Sequence, residues 1–233
     1  MPADNMPAAV FWDMDGTLID SERLWTISLQ DVARELGGSI SPSARASLMG
    51  VDLDTSVGVL LAEVGRAATP ELEEHTRERL LALTAALFAD GVDWRPGALA
   101  ALRTVRASGV PTALVTNSTR RIAELALDGI GREFFDVTVC GDEVPAGKPA
   151  PDPYLRAAAL LDVPVADCVA VEDSPNGALS AERAGAAVLV VPSDLPVPAG
   201  PRRTWRDGLV GLTTAELAVA VYGPEQGTDA RVA

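Results

Sequence analysis

Two carboxylates separated by one residue follow an apolar run in the segment VFWDMDGTLIDSE, which extends from Val10 to Glu22. These acids, Asp13 and Asp15, lead into a Gly-Thr turn, so both lie at the end of a predicted buried strand. An unpaired carboxylate is costly in an apolar environment, and the whole chain already carries a formal net charge of −14. This concentration of negative charge predicts that the segment binds a cation.

Polar groups of complementary charge also follow three later predicted strands. They are a hydroxyl and an amide, a lysine, and a second acid pair, at Thr116 and Asn117, Lys148, and Glu172 and Asp173. Each motif alone has a simpler explanation as a turn, a helix N-cap or a solvated lysine. Ligands of an open α/β sheet bind beyond the carboxyl ends of its strands. The order of these motifs at successive strand ends therefore predicts one shared site that includes the first acid pair.

The residue types in this set indicate phosphate chemistry. Carboxylate oxygens suit Mg²⁺, which takes few protein ligands and keeps its other positions for water and substrate phosphate. Lys148 and the Thr116 hydroxyl are suited to hold phosphate oxygens. A carboxylate beside the metal can attack phosphorus and form an acyl phosphate, because the metal reduces the repulsion between the two anions. The expected partner is a small phosphorylated metabolite.

Short apolar runs alternate with helical patterns in the parts of the chain that carry these motifs. The predicted strands span residues 8–13, 111–116, 137–140, 168–173 and 186–191. The predicted helices between them span residues 98–108, 120–129, 153–161 and 175–185. Nearly continuous apolar runs are typical of parallel strands that are covered on both faces. The pattern predicts an α/β fold with a doubly wound parallel sheet.

A helical block interrupts this alternation after the first strand. Its first helix carries Trp25, Leu29, Val32 and Leu36 on one face. Further helices are predicted at 55–65 and 70–90, the second opened by a Thr-Pro cap.

The block predicts a helical cap domain at 19–91, inserted into a core domain formed by 1–18 and 92–233. The segments LIDSE and DGVDWRPG are the predicted linkers. No element is assigned to the proline- and glycine-rich segment after Pro192, and the final YGPEQGTDARVA is expected to fray.

The composition restricts the partners and the compartment. Hydrophobic residues make up 48% and charged residues 22%, which is typical of a globular protein, and the strong negative charge argues against nucleic acid. No signal peptide and no apolar run of about 20 residues is visible, so we expect a cytoplasmic monomer without membrane contact. Cys140 and Cys168 are expected to be buried reduced thiols, and His75 to be exposed.

The four motifs together resemble those of the haloacid dehalogenase superfamily, in the branch with a helical cap inserted after the first motif. The segment DMDGTL resembles motif one, Thr116 motif two, Lys148 in GKPAPDPY motif three, and the acid pair in VEDSPNG motif four. The resemblance covers about residues 8–191 and implies a Rossmann-like core.

The resemblance implies that Asp13 is the nucleophile and Asp15 the general acid and base. It also implies Mg²⁺ bound by Asp13, the backbone carbonyl of Asp15, and Asp173, with Glu172 supporting the metal site.

The phosphate would be bound by Thr116, Asn117 and Lys148, and Lys148 would also orient Asp13. The dehalogenases that name the superfamily lack a carboxylate at the position of Asp15. Carbon–halogen cleavage is therefore not expected.

The substrate is less closely defined by these motifs. The pattern is similar to sugar-phosphate phosphatases, including the 2-deoxyglucose-6-phosphatase type, and to β-phosphoglucomutases. The mutases place a histidine at the position of Trp25 and an arginine at the position of Leu53, in a cap loop that begins at Gly50. A second phosphate needs such a cation, but this loop offers Asp52, which we expect to contact the substrate. A phosphatase is therefore favoured over a mutase, and a catalytically silent binding protein is the third alternative.

Overall fold

The computed structural model describes residues 6–48, 51–191 and 195–224. Within these ranges six parallel strands form one sheet in the order β3-β2-β1-β4-β5-β6. The strands are β1 Val10–Trp12, β2 Thr112–Val115, β3 Val137–Val139, β4 Val169–Glu172, β5 Ala187–Val190 and β6 Arg203–Trp205. Because β1 pairs with β2 on one side and β4 on the other, the winding of the chain reverses at β1. The predicted doubly wound parallel sheet is confirmed.

Helices cover both faces of the sheet and enclose two apolar cores. One face is covered by α5 Ala98–Ser108, α6 Arg120–Ile130 and α9 Thr214–Tyr222, and the other by α7 Asp152–Leu161 and α8 Pro175–Ala184. Alternate residues of β1 point to opposite cores, with Val10 and Trp12 in the first and Phe11 in the second. All three are fully buried, which explains the continuous apolar run before Asp13.

Four helices lie between β1 and α5 and form the inserted cap. They are α1 Glu22–Glu35, α2 Pro42–Ser47, α3 Leu53–Glu63 and α4 Pro70–Ala89. Their apolar faces meet in a separate core that includes Leu29, Val32, Leu60, Leu61 and Leu80. The hydroxyl of Thr69 accepts a hydrogen bond from the Leu72 N–H at 3.3 Å, so α4 begins at the predicted cap. The predicted helical insertion after the first strand is confirmed.

The two segments that connect the cap to the sheet run side by side. The Asp20 N–H donates to the Asp93 carbonyl at 2.8 Å, and the Arg95 N–H donates to the Leu18 carbonyl at 2.9 Å. Ile19 and Trp94 form an antiparallel bridge between them. The two connections are therefore held together by hydrogen bonds, and the first of them directly follows in sequence the loop that carries Asp13 and Asp15.

The segment after Pro192 corrects the sequence analysis, which assigns no element to it. It contains β6, which extends the sheet beyond β5, and α9, which packs on the first core. The hydroxyl of Thr213 accepts from the Glu216 N–H, and the Glu216 carboxylate accepts from the Thr213 N–H, so a capping box starts α9. The end of YGPEQGTDARVA, from residue 225, lies outside the described residues.

Two smaller expectations are also confirmed by the structure. Cys140 and Cys168 are buried and form no disulfide, and His75 is exposed, as predicted. Within the three described ranges, no helix combines the length and apolar character that crossing a membrane requires.

Candidate active site

Three acids at the carboxyl ends of β1 and β4 lie together with the lysine of the GKP motif, which lies in the loop between β3 and α7. Asp13 directly follows β1, Glu172 ends β4, and Asp173 follows it. Lys148 Nζ lies 2.6 Å from Asp13 Oδ1 and 2.7 Å from Glu172 Oε1, and it also donates to the Val115 carbonyl at 2.8 Å. All four residues are buried, with exposed fractions of 6% or less. The predicted convergence of these motifs is present in the structure.

The three acids form a cluster that fits a divalent cation. One oxygen from each of Asp13, Glu172 and Asp173 lies within 4.8 Å of the other two. The second oxygen of Asp13, Oδ2, is buried and has no hydrogen-bond partner among the described residues. Because a buried oxygen of this kind is costly unless another group contacts it, the arrangement supports a cation at this point.

The electrostatics of the cluster point the same way. Burial, followed by the negative charge of Glu172, raises the pKa of Asp13 well above its ordinary value, although Lys148 opposes this shift. Burial lowers the pKa of Lys148, but Asp13 and Glu172 together raise it above its ordinary value. The raised pKa of Asp13 means that its ionised form is unfavourable without a further cation. When all three acids are ionised, one ammonium leaves two negative charges uncompensated, which a bound Mg²⁺ would balance.

Two glycines make room for the acids of this cluster. Gly16 has a φ of +82°, and a Cβ at this residue would overlap the carboxylate of Asp173. A Cβ on Gly177, near the start of α8, would overlap the carboxylate of Glu172. Both positions therefore require glycine so that the carboxylates can lie close to the backbone.

Asp15 lies beside this cluster in a different environment. Its Oδ1 accepts a hydrogen bond from Ser21 Oγ at 2.5 Å, and its Oδ2 accepts from Thr116 Oγ1 at 3.1 Å and Ser118 Oγ at 2.8 Å. The carboxylate of Asp15 is half-buried and is not one of the three acids that gather around the candidate metal position. The contacts of Ser21 and Ser118 were not predicted, although Ser21 lies in the segment 10–22 and Ser118 directly follows Asn117.

Asn117 holds the backbone of Lys148. Its Oδ1 accepts from the Lys148 N–H at 2.7 Å, and its Nδ2 donates to the Lys148 carbonyl at 3.1 Å. The side-chain amide therefore fixes the loop that carries Lys148.

Asp15, Thr116 and Lys148 open into a cavity between the sheet and the cap. The apolar part of its cap-side wall consists of Trp25, Leu29, Leu48, Val51 and Leu53. The polar part consists of Glu22, Thr26 and Ser56. Among the described residues, no lysine, arginine or histidine of the cap lines this cavity. The wall opposite the acid cluster is therefore neutral to acidic.

The structure does not bring Asp52 into this cavity. The Asp52 carboxylate accepts from the Thr55 N–H at 2.9 Å and from the Thr55 hydroxyl at 2.8 Å, and so forms the N-cap of α3. Its neighbours Val51 and Leu53 do line the cavity, whereas Gly50 lies outside the described residues. The cap loop is therefore near the site, but the acid that was expected to contact the substrate is used to start a helix.

Comparison with known proteins agrees with this architecture. A sequence profile of haloacid dehalogenase-like hydrolases matches residues 7–185. Hexitol phosphatase A of Escherichia coli K12 is 34% identical over 79% of this chain and 84% of that relative. The phosphorylated carbohydrates phosphatase of Thermotoga maritima is 31% identical over 76% of this chain and 81% of that relative.

Solved structures extend the likeness to the fold. CbbY from Rhodobacter sphaeroides in complex with phosphate superposes with a TM-score of 0.82 at 28% identity, covering 91% of this chain and 99% of that chain. A variant of the same relative has been solved in complex with xylulose-(1,5)bisphosphate. From the matched profile and these relatives, the chain belongs to the haloacid dehalogenase-like hydrolase family.

Proposed function

We propose that the protein is a Mg²⁺-dependent phosphatase that hydrolyses a phosphorylated sugar or sugar alcohol through an aspartyl-phosphate intermediate. The observation that carries this proposal is the buried group of Asp13, Lys148, Glu172 and Asp173, with one oxygen of Asp13 left unpartnered among the described residues. Asp15 lies next to this group, at the cavity where a leaving group would be bound.

Asp13 and Asp173 would hold the Mg²⁺ ion, together with the backbone carbonyl of Asp15. Glu172 would support the metal site indirectly, because one of its oxygens already accepts a hydrogen bond from Lys148. When bound, Mg²⁺ would offset the negative charge of the phosphate as it approaches the acids.

In the first step, a carboxylate oxygen of Asp13 attacks phosphorus and forms a new P–O bond. The bond between phosphorus and the leaving oxygen breaks, and Asp15 donates a proton to that oxygen. The leaving group departs as a neutral alcohol, and Asp13 becomes an aspartyl phosphate.

In the second step, water attacks the phosphorus of this intermediate. Asp15, now a base, accepts a proton from the water, and the P–O bond to Asp13 breaks. Inorganic phosphate is released, and both acids return to their starting forms. The hydroxyls of Ser21 and Ser118 hold Asp15 for both transfers.

Thr116 and Lys148 are the proposed phosphate contacts, since both line the cavity beside Asp13. The single proton of the Thr116 hydroxyl is donated to Asp15, so contact with phosphate requires that hydrogen bond to exchange. Each N–H of the Lys148 ammonium already has an acceptor, so phosphate binding requires Lys148 to share or exchange one of them. We propose that Asn117 contributes mainly by holding the Lys148 backbone.

The polar groups of the cap wall support a neutral leaving group. Glu22, Thr26 and Ser56 are suited to bind hydroxyls, while Trp25 offers an apolar face. The names of the two curated relatives, a hexitol phosphatase and a phosphorylated carbohydrates phosphatase, agree with such a substrate.

We propose the domain boundaries predicted from the sequence, with a cap at 19–91 and a core at 1–18 and 92–233. The paired connections at Ile19 and Trp94 support this division, because the chain leaves and re-enters the sheet layer there.

The test is phosphate release from p-nitrophenyl phosphate and from a panel of phosphorylated sugars and sugar alcohols, with and without Mg²⁺. The proposal expects Mg²⁺-dependent release and a preference for substrates with one phosphate. No release from any member of the panel would favour a catalytically silent binding protein.

A mutase is the second candidate, because a variant of the relative CbbY was solved with a bisphosphate. It is tested with a β-hexose 1-phosphate and a bisphosphate primer. A phosphatase should release inorganic phosphate without accumulating the 6-phosphate isomer, whereas efficient isomerisation would identify a mutase.

A further inference from the structure

Tyr154 has no part in the steps above, yet its hydroxyl reaches the centre of the site. The side chain is fully buried in the first turn of α7. Its hydroxyl donates to Glu172 Oε1, the same oxygen that accepts from Lys148. The tyrosine ring also lies beside the ammonium, with 5.3 Å between Lys148 Nζ and the ring centroid.

The position of Lys148 Nζ depends on a balance between two acceptors. An ammonium has three N–H donors, and Lys148 directs them to Asp13 Oδ1 at 2.6 Å, Glu172 Oε1 at 2.7 Å and the Val115 carbonyl at 2.8 Å. The carbonyl belongs to β2 and is fixed by the sheet. The pull of Asp13 against that of Glu172 therefore decides where the ammonium lies.

The Glu172 carboxylate has contacts besides Lys148. Tyr154 shares Oε1 with Lys148, and Ser174 Oγ lies 3.4 Å from Oε2. The carboxylate also packs against Gly177 so closely that a Cβ there would overlap it. A second donor on Oε1 weakens the pull that Glu172 exerts on the ammonium, because the two donors share the same negative charge.

We propose that Tyr154 is a positioning residue that acts through Glu172 to keep Lys148 hydrogen-bonded to Asp13. The catalytic part of this inference rests on the proposed function. Without the hydroxyl, Lys148 is the remaining described side chain that donates to Glu172 Oε1, so the ammonium moves towards Glu172. Asp13 then loses part of the contact that orients it for attack on phosphorus.

Tyr154→Phe isolates the hydroxyl. The variant keeps the ring and its packing on Phe11, where the ring centroids are 5.9 Å apart. The matched control is Tyr222→Phe, which removes the hydroxyl that donates to the Met6 carbonyl at 3.3 Å on the exposed side of α9. These two tyrosines are the only ones in the chain.

The sequence offers a readout that does not depend on activity, because Lys148 is its single lysine. Protein labelled with ¹⁵N-lysine therefore has one side-chain ammonium signal in an NMR spectrum. We expect Tyr154→Phe to shift this signal and to speed the exchange of its protons with water, whereas Tyr222→Phe should leave the signal unchanged. A Tyr154 variant carrying p-aminophenylalanine, which keeps a donor at the same place, should restore it.

The catalytic readout uses p-nitrophenyl phosphate with Mg²⁺. We expect kcat of Tyr154→Phe to fall about tenfold, with KM and the half-saturating Mg²⁺ concentration within about twofold of wild type. An unchanged ammonium signal together with a kcat within twofold of wild type would overturn the proposal. Loss of the cooperative thermal transition in Tyr154→Phe would also overturn it, since the hydroxyl would then serve folding alone. If the wild-type protein lacks turnover, the proposed function fails, but the ammonium signal still decides whether Tyr154 positions Lys148.

Discussion

Ser21 Oγ lies 2.5 Å from Oδ1 of Asp15, so a hydrogen bond connects the residue before the first cap helix to the acid beside the candidate metal cluster. Ser21 is fully buried, whereas Asp15 is half-buried and opens into the cavity. The connection between cap and core therefore contacts one of the proposed reacting groups directly.

Ser21→Ala should reduce turnover of alkyl phosphates, because Asp15 would lose one of its three hydroxyl donors. A net hydrogen bond of about 1 kcal/mol corresponds to a rate reduction of about fivefold. The effect should be smaller with p-nitrophenyl phosphate, whose leaving group needs no proton. Ser28→Ala is the matched control, since Ser28 is also fully buried but bonds to the Leu24 carbonyl and Thr84 within the cap. Equal reductions with both substrates would contradict this role for Ser21.

Removing divalent metal should abolish activity, because the acid cluster retains negative charge that repels phosphate. Mg²⁺ should restore turnover after chelation, and Ca²⁺ should substitute poorly because it prefers more ligands. Asp173→Asn should raise the Mg²⁺ concentration needed for half-maximal activity, measured by phosphate release across a metal titration. Full activity after exhaustive chelation would rule out the proposed metal site.

Leu53 and Asp52 should differ in their effect on substrate choice, although they are neighbours. Leu53 lines the cavity, so Leu53→Ala should change the relative kcat/KM values across a panel of sugar phosphates. Asp52→Ala removes the N-cap of α3 and should lower the free energy of unfolding by about 1 kcal/mol. Its substrate ranking should remain that of the wild type. A changed ranking in Asp52→Ala with an unchanged one in Leu53→Ala would reverse the assignment.

The two cysteines should resist thiol reagents in the folded protein. Burial raises the pKa of both Cys140 and Cys168 to about 12, so roughly one thiol in 10⁴ is ionised at pH 8. Ellman's reagent should label neither residue quickly at that pH, and should label both in concentrated guanidinium chloride. Fast labelling of the native protein would show that at least one thiol is accessible.

The raised pKa values of Cys140 and Cys168 also make the free energy of unfolding depend on pH. The folded protein keeps these thiol protons to a higher pH than the unfolded chain, whose thiols ionise near 9.0. The unfolded state therefore binds fewer protons between pH 9 and about 12, and the two thiols should lower the free energy of unfolding as pH rises through this window.

The elements that position the site were predictable where sequence periodicity is strong. The helix predicted at 98–108 is α5 with the same limits, and the predicted start of α4 was confirmed. The five predicted strands are also present, each somewhat shorter than its apolar run. These elements are buried on one or both sides, so their packing imposes the pattern that the sequence shows.

The C-terminal elements were missed for different reasons. The strand β6 has three residues at the edge of the sheet, too few to show alternation, and its Trp205 is about half exposed at 48%. The helix α9 has a sequence signal in the Thr213 and Glu216 capping box, but the segment before it is rich in prolines and glycines, which favour a loop interpretation.

Within the site, the motif residues were predictable but their hydrogen-bond partners were not. Tyr154 lies within the segment quoted for Lys148, and Ser118 lies two residues after Thr116. Contacts between distant segments, however, depend on side-chain directions in the folded chain. For Asp52 the residue was selected but its role was not predicted. An acid directly before a helical pattern can be either a substrate contact or the N-cap of that helix. In the structure Asp52 is the N-cap residue of α3.

Rapid-mixing kinetics of Asp15→Asn with p-nitrophenyl phosphate separates the roles of Asp13 and Asp15 most directly. Nitrophenolate leaves without a proton, so Asp13 should still be phosphorylated, but the second step lacks its base. We predict a burst of about one nitrophenolate per active site, followed by a near-stop with phosphate trapped on Asp13, whereas Asp13→Asn should give no burst. Steady turnover of Asp15→Asn at the wild-type rate, or the absence of both burst and phospho-enzyme, would contradict the roles proposed for the two acids.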